Sequence, residues 1–587
     1  MTRYAAPGLV ELPTSLPNQG SFNSHPKALA QWIENLPMAN LAEASRQLLD
    51  AMRQVNGVQT PPVDRIEFLE AMRPPIRAMV EGLRKQYAHR ELPLGENARG
   101  VADVVMALFD DLAQGYEIAL ESSLVDDGSA LTRKRLALAV QRAIRHTGWR
   151  MVEGYLIYEP GSAADWHALN TLYRFSEDAD LADVPVADDT LEHGKVQTAA
   201  GAYKQILLTA AAGPYRMPKV EVLAVYALLE RWAPRITLPA ASADTSAEGV
   251  YMIDLNGNRP PFSRANGDQQ DPRTLRTIAT TDLPALINRE MKEPGLLERL
   301  VRRREQRTDG ELLQRIVIAL GVTPKRRFPR QSSGAQAEVA LGLSQIHRLL
   351  SQHQGDAYNT PENQSRFQGR DLSVDRKQDD VWELVYPEQL IRALQWEDEL
   401  RKHRTKPTIA EPKQDATDTR EWHLVNVSAG GYCLLSDPSH SGRTQVNELV
   451  LIREVGDSSA LPWQIGVVRW MKNVQDTGLQ VGVQLLAPSP VAVTVSATTE
   501  QGRPVTAVRG LILPRIAAIE QPATLVTPSL PYALRGHADI HCAGRNYKVK
   551  LEHRLEESNI FCRFEIRAAE SSVEMPTAAL ESIWSLV

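Results

Sequence analysis

Apolar residues recur at helical spacing up to about residue 235 of the chain, a pattern that buries one face of each helix against a neighbour. Further helices are predicted near 130–145, 165–177, 197–212 and 217–233, and Pro74-Pro75 predicts a break before a new stripe at Ile76. The clearest stripe consists of Val101, Val104, Val105, Leu108, Phe109 and Leu112.

The middle of the chain keeps the helical pattern as far as residue 353, with helices predicted near 282–307, 310–320 and 335–353. A short strand is predicted at Gly249–Leu255, before the turn residues Asn256-Gly257. Residues 354–380 are rich in polar residues and glycine, a composition that buries too little apolar surface for a fixed fold, and they are interpreted as a linker.

After residue 420 the apolar period changes from 3.6 to 2, which predicts β-strands. Short strands separated by Gly and Asp turns indicate a small barrel or sandwich. The same pattern continues to the end of the chain. The predicted strands include 447–453, 463–470, 479–485, 508–513, 538–542, 547–551 and 561–566.

Charge and composition exclude several classes of protein. The 587 residues carry a formal net charge of −6, so a protein that coats nucleic acid by bulk positive charge is excluded and no nucleic acid polymer is expected as partner. Cys433, Cys542 and Cys562 lack disulfide or zinc spacing and are predicted to be buried in strands. No apolar run resembles a signal peptide or a transmembrane segment, so a cytoplasmic protein is expected.

Three segments of the strand region carry a family resemblance. Asn426-Val-Ser428-Ala-Gly-Gly431 fits the pattern Asp/Asn-x-Ser-x-x-Gly, and Gly466-Val-Val-Arg-Trp470 and Gly482-Val-Gln-Leu-Leu486 follow it. In this order they resemble the PilZ domain, a six-stranded β-barrel whose members often bind the bacterial second messenger cyclic di-GMP. The resemblance implies that Asn426 bonds a guanine edge, that Ser428 offers its hydroxyl to guanine or phosphate, and that Gly431 allows close backbone approach.

The resemblance also implies two arginines, because an arginine fork pairs with guanine and with phosphate. PilZ proteins supply them from an Arg-x-x-x-Arg motif roughly twenty residues before the Asn/Asp, in a flexible segment. At that distance Arg401 and Arg404 form only Arg-x-x-Arg, and they are the arginines chosen by distance. Of the exact matches elsewhere, only 366/370 lies in a segment that could fold back. Those matches are Arg73/Arg77, Arg299/Arg303, Arg303/Arg307, Arg326/Arg330 and Arg366/Arg370.

Together these patterns predict an α+β multidomain protein: an N-terminal all-α helical array, for which a solenoid is one arrangement, a PilZ-like six-stranded β-barrel and a β-rich C-terminal extension. The predicted divisions are a flexible N-terminus at 1–25, the helical array at 26–240, a mainly helical part with a strand insertion at 241–353, the polar linker at 354–380, a helix leading to the barrel at 381–404, the barrel at 405–495 and the extension at 496–587.

Two functions remain open at this point. The chain shows no nucleotide-binding, hydrolase or metal-site motif and no sequence that makes or destroys cyclic di-GMP, so no enzyme, no metal and no cofactor is expected. The preferred hypothesis is an effector that binds cyclic di-GMP through Arg401, Arg404, Asn426, Ser428 and Gly431 and signals to a protein partner through the helical region. The alternative is a constitutive interaction scaffold whose degenerate barrel binds no nucleotide.

Overall fold

The chain divides into two compact units, residues 1–326 with 472–475 and residues 327–471 with 476–587. A computed structural model describes residues 5–568 except for 18–21, 126–130, 242–250, 264–270, 272, 281, 293–311, 314–315, 321–330, 354–418, 429, 437–443, 456–462, 475–477, 500–506, 517–520, 530–533, 543–544 and 559.

The first unit is mainly helical, as the apolar stripes predict. Its helices are α1 (Pro26–Glu34), α2 (Leu41–Asn56), α3 (Pro62–Arg84), α4 (Glu96–Val125), α5 (Arg133–Leu156), α6 (Ala163–Asp178), α7 (Ala199–Ala211), α8 (Lys219–Trp232) and α9 (Leu283–Lys292).

Helices α4 and α5 lie at the centre of this unit. The stripe on α4 is confirmed, since Val105, Leu108, Phe109 and Leu112 are all buried. Helix α4 packs on α2, α3 and α5, and α5 packs on α6, α7 and α8. Polar side chains cap the starts of α2, α5, α6 and α7, and the Ser162 hydroxyl accepts a hydrogen bond from the third amide of α6 within a capping box.

The break predicted at Pro74-Pro75 is wrong. Both prolines lie inside the continuous helix α3. Residues on both sides of the pair, including Phe68 and Met72 before it and Met79 after it, are buried in one core. This shared burial outweighs the two backbone hydrogen bonds that the prolines remove, since packing of the apolar face supplies most helical stability.

Short strands complete the first unit. β1 (Val186–Ala187) pairs with β2 (Val196–Gln197), and β3 (Tyr251–Asp254) lies between β4 (Phe262–Ser263) and β5 (Leu275–Ile278). β3 confirms the strand predicted at Gly249–Leu255. The segment predicted as a flexible N-terminus contacts the helices where it is described, since the Leu9 amide donates to Glu121 Oε1 at 2.9 Å.

The second unit begins with a closed six-stranded barrel, which confirms the fold expected from the resemblance. Its closed order is β7, β8, β9, β12, β11, β10, and a short strand β6 pairs with β8. The elements are β6 (Gln331–Ser332), β7 (Gln336–Leu341), α10 (Leu343–His353), β8 (Arg420–Ser428), β9 (Gly431–Ser436), β10 (Leu449–Glu454), β11 (Gln464–Val474) and β12 (Gly478–Pro488).

The first strand of this barrel lies where the sequence predicts a helix. The prediction of one helix over 335–353 is wrong for its first part, because Gln336–Leu341 forms β7 and only Leu343–His353 is helical. Ala337 and Val339 face the core while Gln336 is exposed, so the segment is a short half-buried strand. The barrel therefore takes its first strand, β7, and the additional strand β6 from before residue 405.

The predicted β-rich extension is confirmed and is a second closed barrel. Its closed order is β13, β14, β15, β18, β17, β16. Counted within each barrel, both follow the same antiparallel order 1-2-3-6-5-4. The strands are β13 (Val491–Thr499), β14 (Val508–Leu513), β15 (Thr524–Pro528), β16 (Leu534–Cys542), β17 (Arg545–Glu557) and β18 (Phe561–Ala568).

Helix α10 joins the two barrels. It packs on β7 and β10 of the first barrel and on β13 and β14 of the second. Leu343 and Ile346 of this helix share one buried cluster with Leu451 and Leu511. Each barrel also buries cysteine as predicted, at Cys433 in the first barrel and at Cys542 and Cys562 in the second.

Candidate ligand-binding site

The motif Asn426-x-Ser428-x-x-Gly431 forms the tight connection between β8 and β9. Asn426 pairs with Cys433 and Ser428 with Gly431 across the two strands. The Ser428 hydroxyl donates to the Gly431 carbonyl oxygen at 3.1 Å. The three motif side-chain positions are half-buried at the end of the hairpin. The prediction that these residues lie together in one turn is thus consistent with the geometry.

Gly431 is required by the close approach of the next strand. A Cβ atom at this position would lie 2.0 Å from the carbonyl oxygen of Val483 on β12, closer than any side chain tolerates. Gly482 is under a similar constraint, because its Cβ would lie 1.9 Å from the indole Nε1 of Trp470 on β11. The two later sequence signatures therefore belong to the strands that follow β9 around the barrel.

An outward row of residues crosses four strands at this level of the barrel. Ser428 on β8 pairs with Gly431 on β9, which pairs with Gln484 on β12. The exposed Gln484 side chain then accepts a hydrogen bond from Arg469 Nε on β11 at 2.8 Å. The row combines a hydroxyl, an amide and a guanidinium, which can bond polar groups of a ligand, with a glycine that carries no side chain.

The residue after Gly431 anchors the motif end of β9. The Tyr432 hydroxyl donates to Glu454 Oε1 at 3.0 Å and lies 3.2 Å from Gln464 Oε1. Burial, together with the Glu454 carboxylate, raises the pKa of Tyr432 to about 12. The phenol therefore remains a hydrogen-bond donor at neutral pH and fixes the motif from its buried side.

Strand β6 brings a different part of the chain to the motif. Gln331 pairs with Val427, and Ser332 pairs with Asn426. The residue that precedes Gln331 in the chain is Arg330, the second arginine of the exact match Arg326/Arg330. The sequence analysis does not predict this pairing, because it assigns residues 241–353 to a mainly helical part with no strand near Gln331.

Arg401 and Arg404, the arginines predicted by distance, lie outside the described residues, as do Arg326, Arg330, Arg366 and Arg370. Within the described ranges, no group of three His, Cys, Asp or Glu side chains could hold a metal ion. No helix of the described part is long and apolar enough to cross a membrane.

Comparison with known proteins matches three domain models to the chain. A model of the middle PilZ domain of the cyclic-di-GMP receptor FimW matches residues 250–491. The chain contains a PilZ domain. The model of the FimW N-terminal domain matches residues 27–242, and that of the FimW C-terminal beta-barrel domain matches residues 493–569. The PilZ match starts well before β6, which supports the assignment of β6 and β7 to the PilZ barrel.

One curated relative is similar over nearly its whole length. It is the cyclic-di-GMP receptor FimW of Pseudomonas aeruginosa, which is 28% identical, with 96% of this chain and 93% of the relative aligned. No solved structure matches the chain. The helical unit, the PilZ barrel and the second barrel therefore follow one another in the order of the three FimW domain models.

Proposed function

We propose that the protein is an effector that binds cyclic di-GMP at the β8–β9 end of the PilZ barrel. The observation that carries this proposal is the assembled motif, in which Asn426, Ser428 and Gly431 share one tight connection on the outside of a closed barrel. The relative with the same three parts is named as a cyclic-di-GMP receptor.

The geometry refines the role of Ser428. Its hydroxyl proton is directed to the Gly431 carbonyl, so the oxygen lone pairs remain as acceptors for a ligand. Guanine presents N–H donors on its Watson–Crick edge, whereas phosphate oxygens only accept. Ser428 is therefore assigned to a guanine edge, with Asn426 beside it.

The arginines of the site are assigned to Arg326 and Arg330. The support is the pairing of β6 with the motif strand, which places the residue after Arg330 opposite Val427. The pair Arg401/Arg404 remains the competing assignment, since it precedes Asn426 by the expected distance in the sequence. Both pairs supply the guanidinium forks that guanine and phosphate require.

Isothermal titration calorimetry with the full chain separates the two assignments. Arg326→Gln/Arg330→Gln should weaken cyclic di-GMP binding about 5- to 150-fold, the equivalent of ~1–3 kcal/mol for lost charge-assisted contacts. The matched control is Arg366→Gln/Arg370→Gln, which removes the same charge from another Arg-x-x-x-Arg pair and should bind as the wild type. A loss confined to Arg401→Gln/Arg404→Gln would restore the assignment by distance.

Asn426→Ala tests the motif itself. It should weaken binding to a similar extent, because a buried guanine edge left without its partner loses a hydrogen bond. If the wild-type protein released no heat with high micromolar cyclic di-GMP, the proposed function would fail and the alternative of a constitutive scaffold would stand.

The output is assigned to the helical unit, which is the part that we infer contacts a protein partner. This unit has a continuous core of its own and is matched by a separate domain model. Hydrogen exchange measured with and without cyclic di-GMP tests the link. Ligand-dependent exchange within residues 26–240 supports it, and changes restricted to residues 327–568 contradict it.

A further inference from the structure

The second barrel has the topology of the PilZ barrel but lacks its motif. Both barrels follow the closed order 1-2-3-6-5-4. In the PilZ barrel the connection from strand 2 to strand 3 carries Asn-x-Ser-x-x-Gly, whereas residues 514–523 of the second barrel contain neither serine nor glycine. In place of a ligand motif, this connection contacts the PilZ barrel, since the Gln521 amide donates to the Leu486 carbonyl at 2.9 Å.

The two barrels contact each other through α10 and through an ion pair of the PilZ barrel. His347 of α10 lies with Nε2 3.1 Å from the Val493 carbonyl oxygen of the second barrel. On another side, Arg469 of the PilZ barrel forms an ion pair with Glu556 on β17, with Nη1 and Oε1 2.6 Å apart. This ion pair is partly shielded, because the Arg469 and Glu556 side chains are 31% and 16% exposed.

Arg469 is the last member of the outward row that starts at the motif. Its Nε donates to Gln484, and Gln484 pairs with Gly431. The guanidinium is thus held at two of its nitrogens and keeps further N–H donors for a ligand. Three interstrand steps separate Ser428 from Arg469, or roughly 14 Å at about 4.8 Å a step. A ligand with two guanines and two phosphates presents several polar groups over such a distance.

We propose that Arg469 is a further ligand-binding residue of the PilZ site and that Glu556 of the second barrel is the positioning residue that holds it there. This inference rests on the proposed function. Arg469 recognises a phosphate or a guanine edge of the cyclic dinucleotide through its planar fork. The second barrel therefore contributes to affinity without contacting the nucleotide through a motif of its own.

Calorimetry with cyclic di-GMP on the full chain tests the proposal. Arg469→Gln should weaken binding about 10-fold or more, and Glu556→Gln about 3-fold or more, because an unrestrained arginine loses conformational freedom on binding. In the Arg469→Gln background, Glu556→Gln should have no further effect. This non-additivity is the readout that a purely structural role of Glu556 would not produce.

The matched control is Arg453→Gln. It breaks a similar ion pair of the same barrel, between Arg453 on β10 and Glu338 on β7, outside the row. It should bind as the wild type. A second variant, Arg469→Lys, keeps the charge but not the fork, and should still bind more weakly. If the wild type binds cyclic di-GMP and both Arg469 variants bind it as tightly as the wild type does, the inference is overturned and the proposed function stands. If the wild type binds no nucleotide, both fail.

Discussion

Replacing Asp188 with asparagine removes the central charge of a buried network in the helical unit. The Asp188 side chain is fully buried and lies 2.7 Å from Arg73, 2.9 Å from Arg142 and 3.2 Å from Arg145. It also accepts hydrogen bonds from the amide and hydroxyl of Thr190. Burial alone would raise the pKa of the Asp188 carboxyl, but Arg145, Arg142 and Arg73 together hold it far below its usual range.

The size of the effect follows from the charge count. Glu70 pairs with two of the arginines and Glu230 lies 3.7 Å from Arg145, so three carboxylates balance three guanidinium groups. Asp188→Asn keeps the shape but leaves a net buried charge of about one unit. Breaking a buried ion pair in this way costs about 3–5 kcal/mol, because the remaining charge stays desolvated.

Urea unfolding of the full chain, monitored by far-ultraviolet circular dichroism, measures this loss of unfolding free energy in the transition of the helical unit. The matched control is Asp103→Asn, which breaks an ion pair with Arg99 in which the Asp103 side chain is 51% exposed. Such a surface pair contributes about 0–1 kcal/mol. Equal midpoints for the Asp188 and Asp103 variants at pH 7 would refute the reasoning.

The stabilisation that Asp188 provides changes with pH in a direction set by its pKa. The pKa of Asp188 is lower in the folded protein than the value of about 3.9 in unfolded chains, so its stabilisation is complete above that value and is lost as the pH falls towards the folded pKa. The difference in unfolding free energy between the wild type and Asp188→Asn should therefore be constant near neutral pH and narrow below about pH 4.

Two further predictions concern the barrels. Burial lowers the pKa of His347 to about 4, so the second unit should lose up to ~3 kcal/mol as the pH falls from about 6.5 to 4. His347→Gln, which keeps a donor towards the Val493 carbonyl, should flatten that dependence in thermal unfolding curves at pH 7 and pH 5. Gly482→Ala should displace Trp470, which changes tryptophan fluorescence and destabilises the PilZ barrel by ~1–3 kcal/mol. Unchanged fluorescence and an unchanged melting temperature would contradict the close approach at this position.

Local periodicity was sufficient for most of the fold because burial on one face is recorded in neighbouring residues. The stripe on α4 and the alternating strand at Leu479–Leu485 are examples, and both elements extend beyond their predicted ends. Periodicity was misleading where two signals competed. The proline pair in α3 indicated an end, but the apolar face on either side of it continues into one core.

The strand at Gln336–Leu341 was missed for a related reason. Its residues Gln-Ala-Glu-Val-Ala-Leu favour a helix by propensity and run directly into the amphipathic helix α10. Only pairing with β8 and β10 makes the segment a strand, and both partners come later in the chain. Tertiary contacts decide whether such a short segment forms a strand or a helix, and the local sequence does not show those contacts.

The candidate site shows the same division between local and non-local information. The grouping of Asn426, Ser428 and Gly431 could be predicted because they occupy one tight turn, in which residues close in sequence are also close in space. The arginines are predicted differently by two measures, because α10 and residues 354–418 lie in the chain between β7, the first strand of the PilZ barrel, and β8. Counting back from Asn426 predicts Arg401 and Arg404, whereas the pairing of Ser332 with Asn426 is the basis of the proposal for Arg326 and Arg330. Arg469 is subject to the same argument, since its link to the motif depends on the register of three strands and its anchor, Glu556, belongs to another barrel.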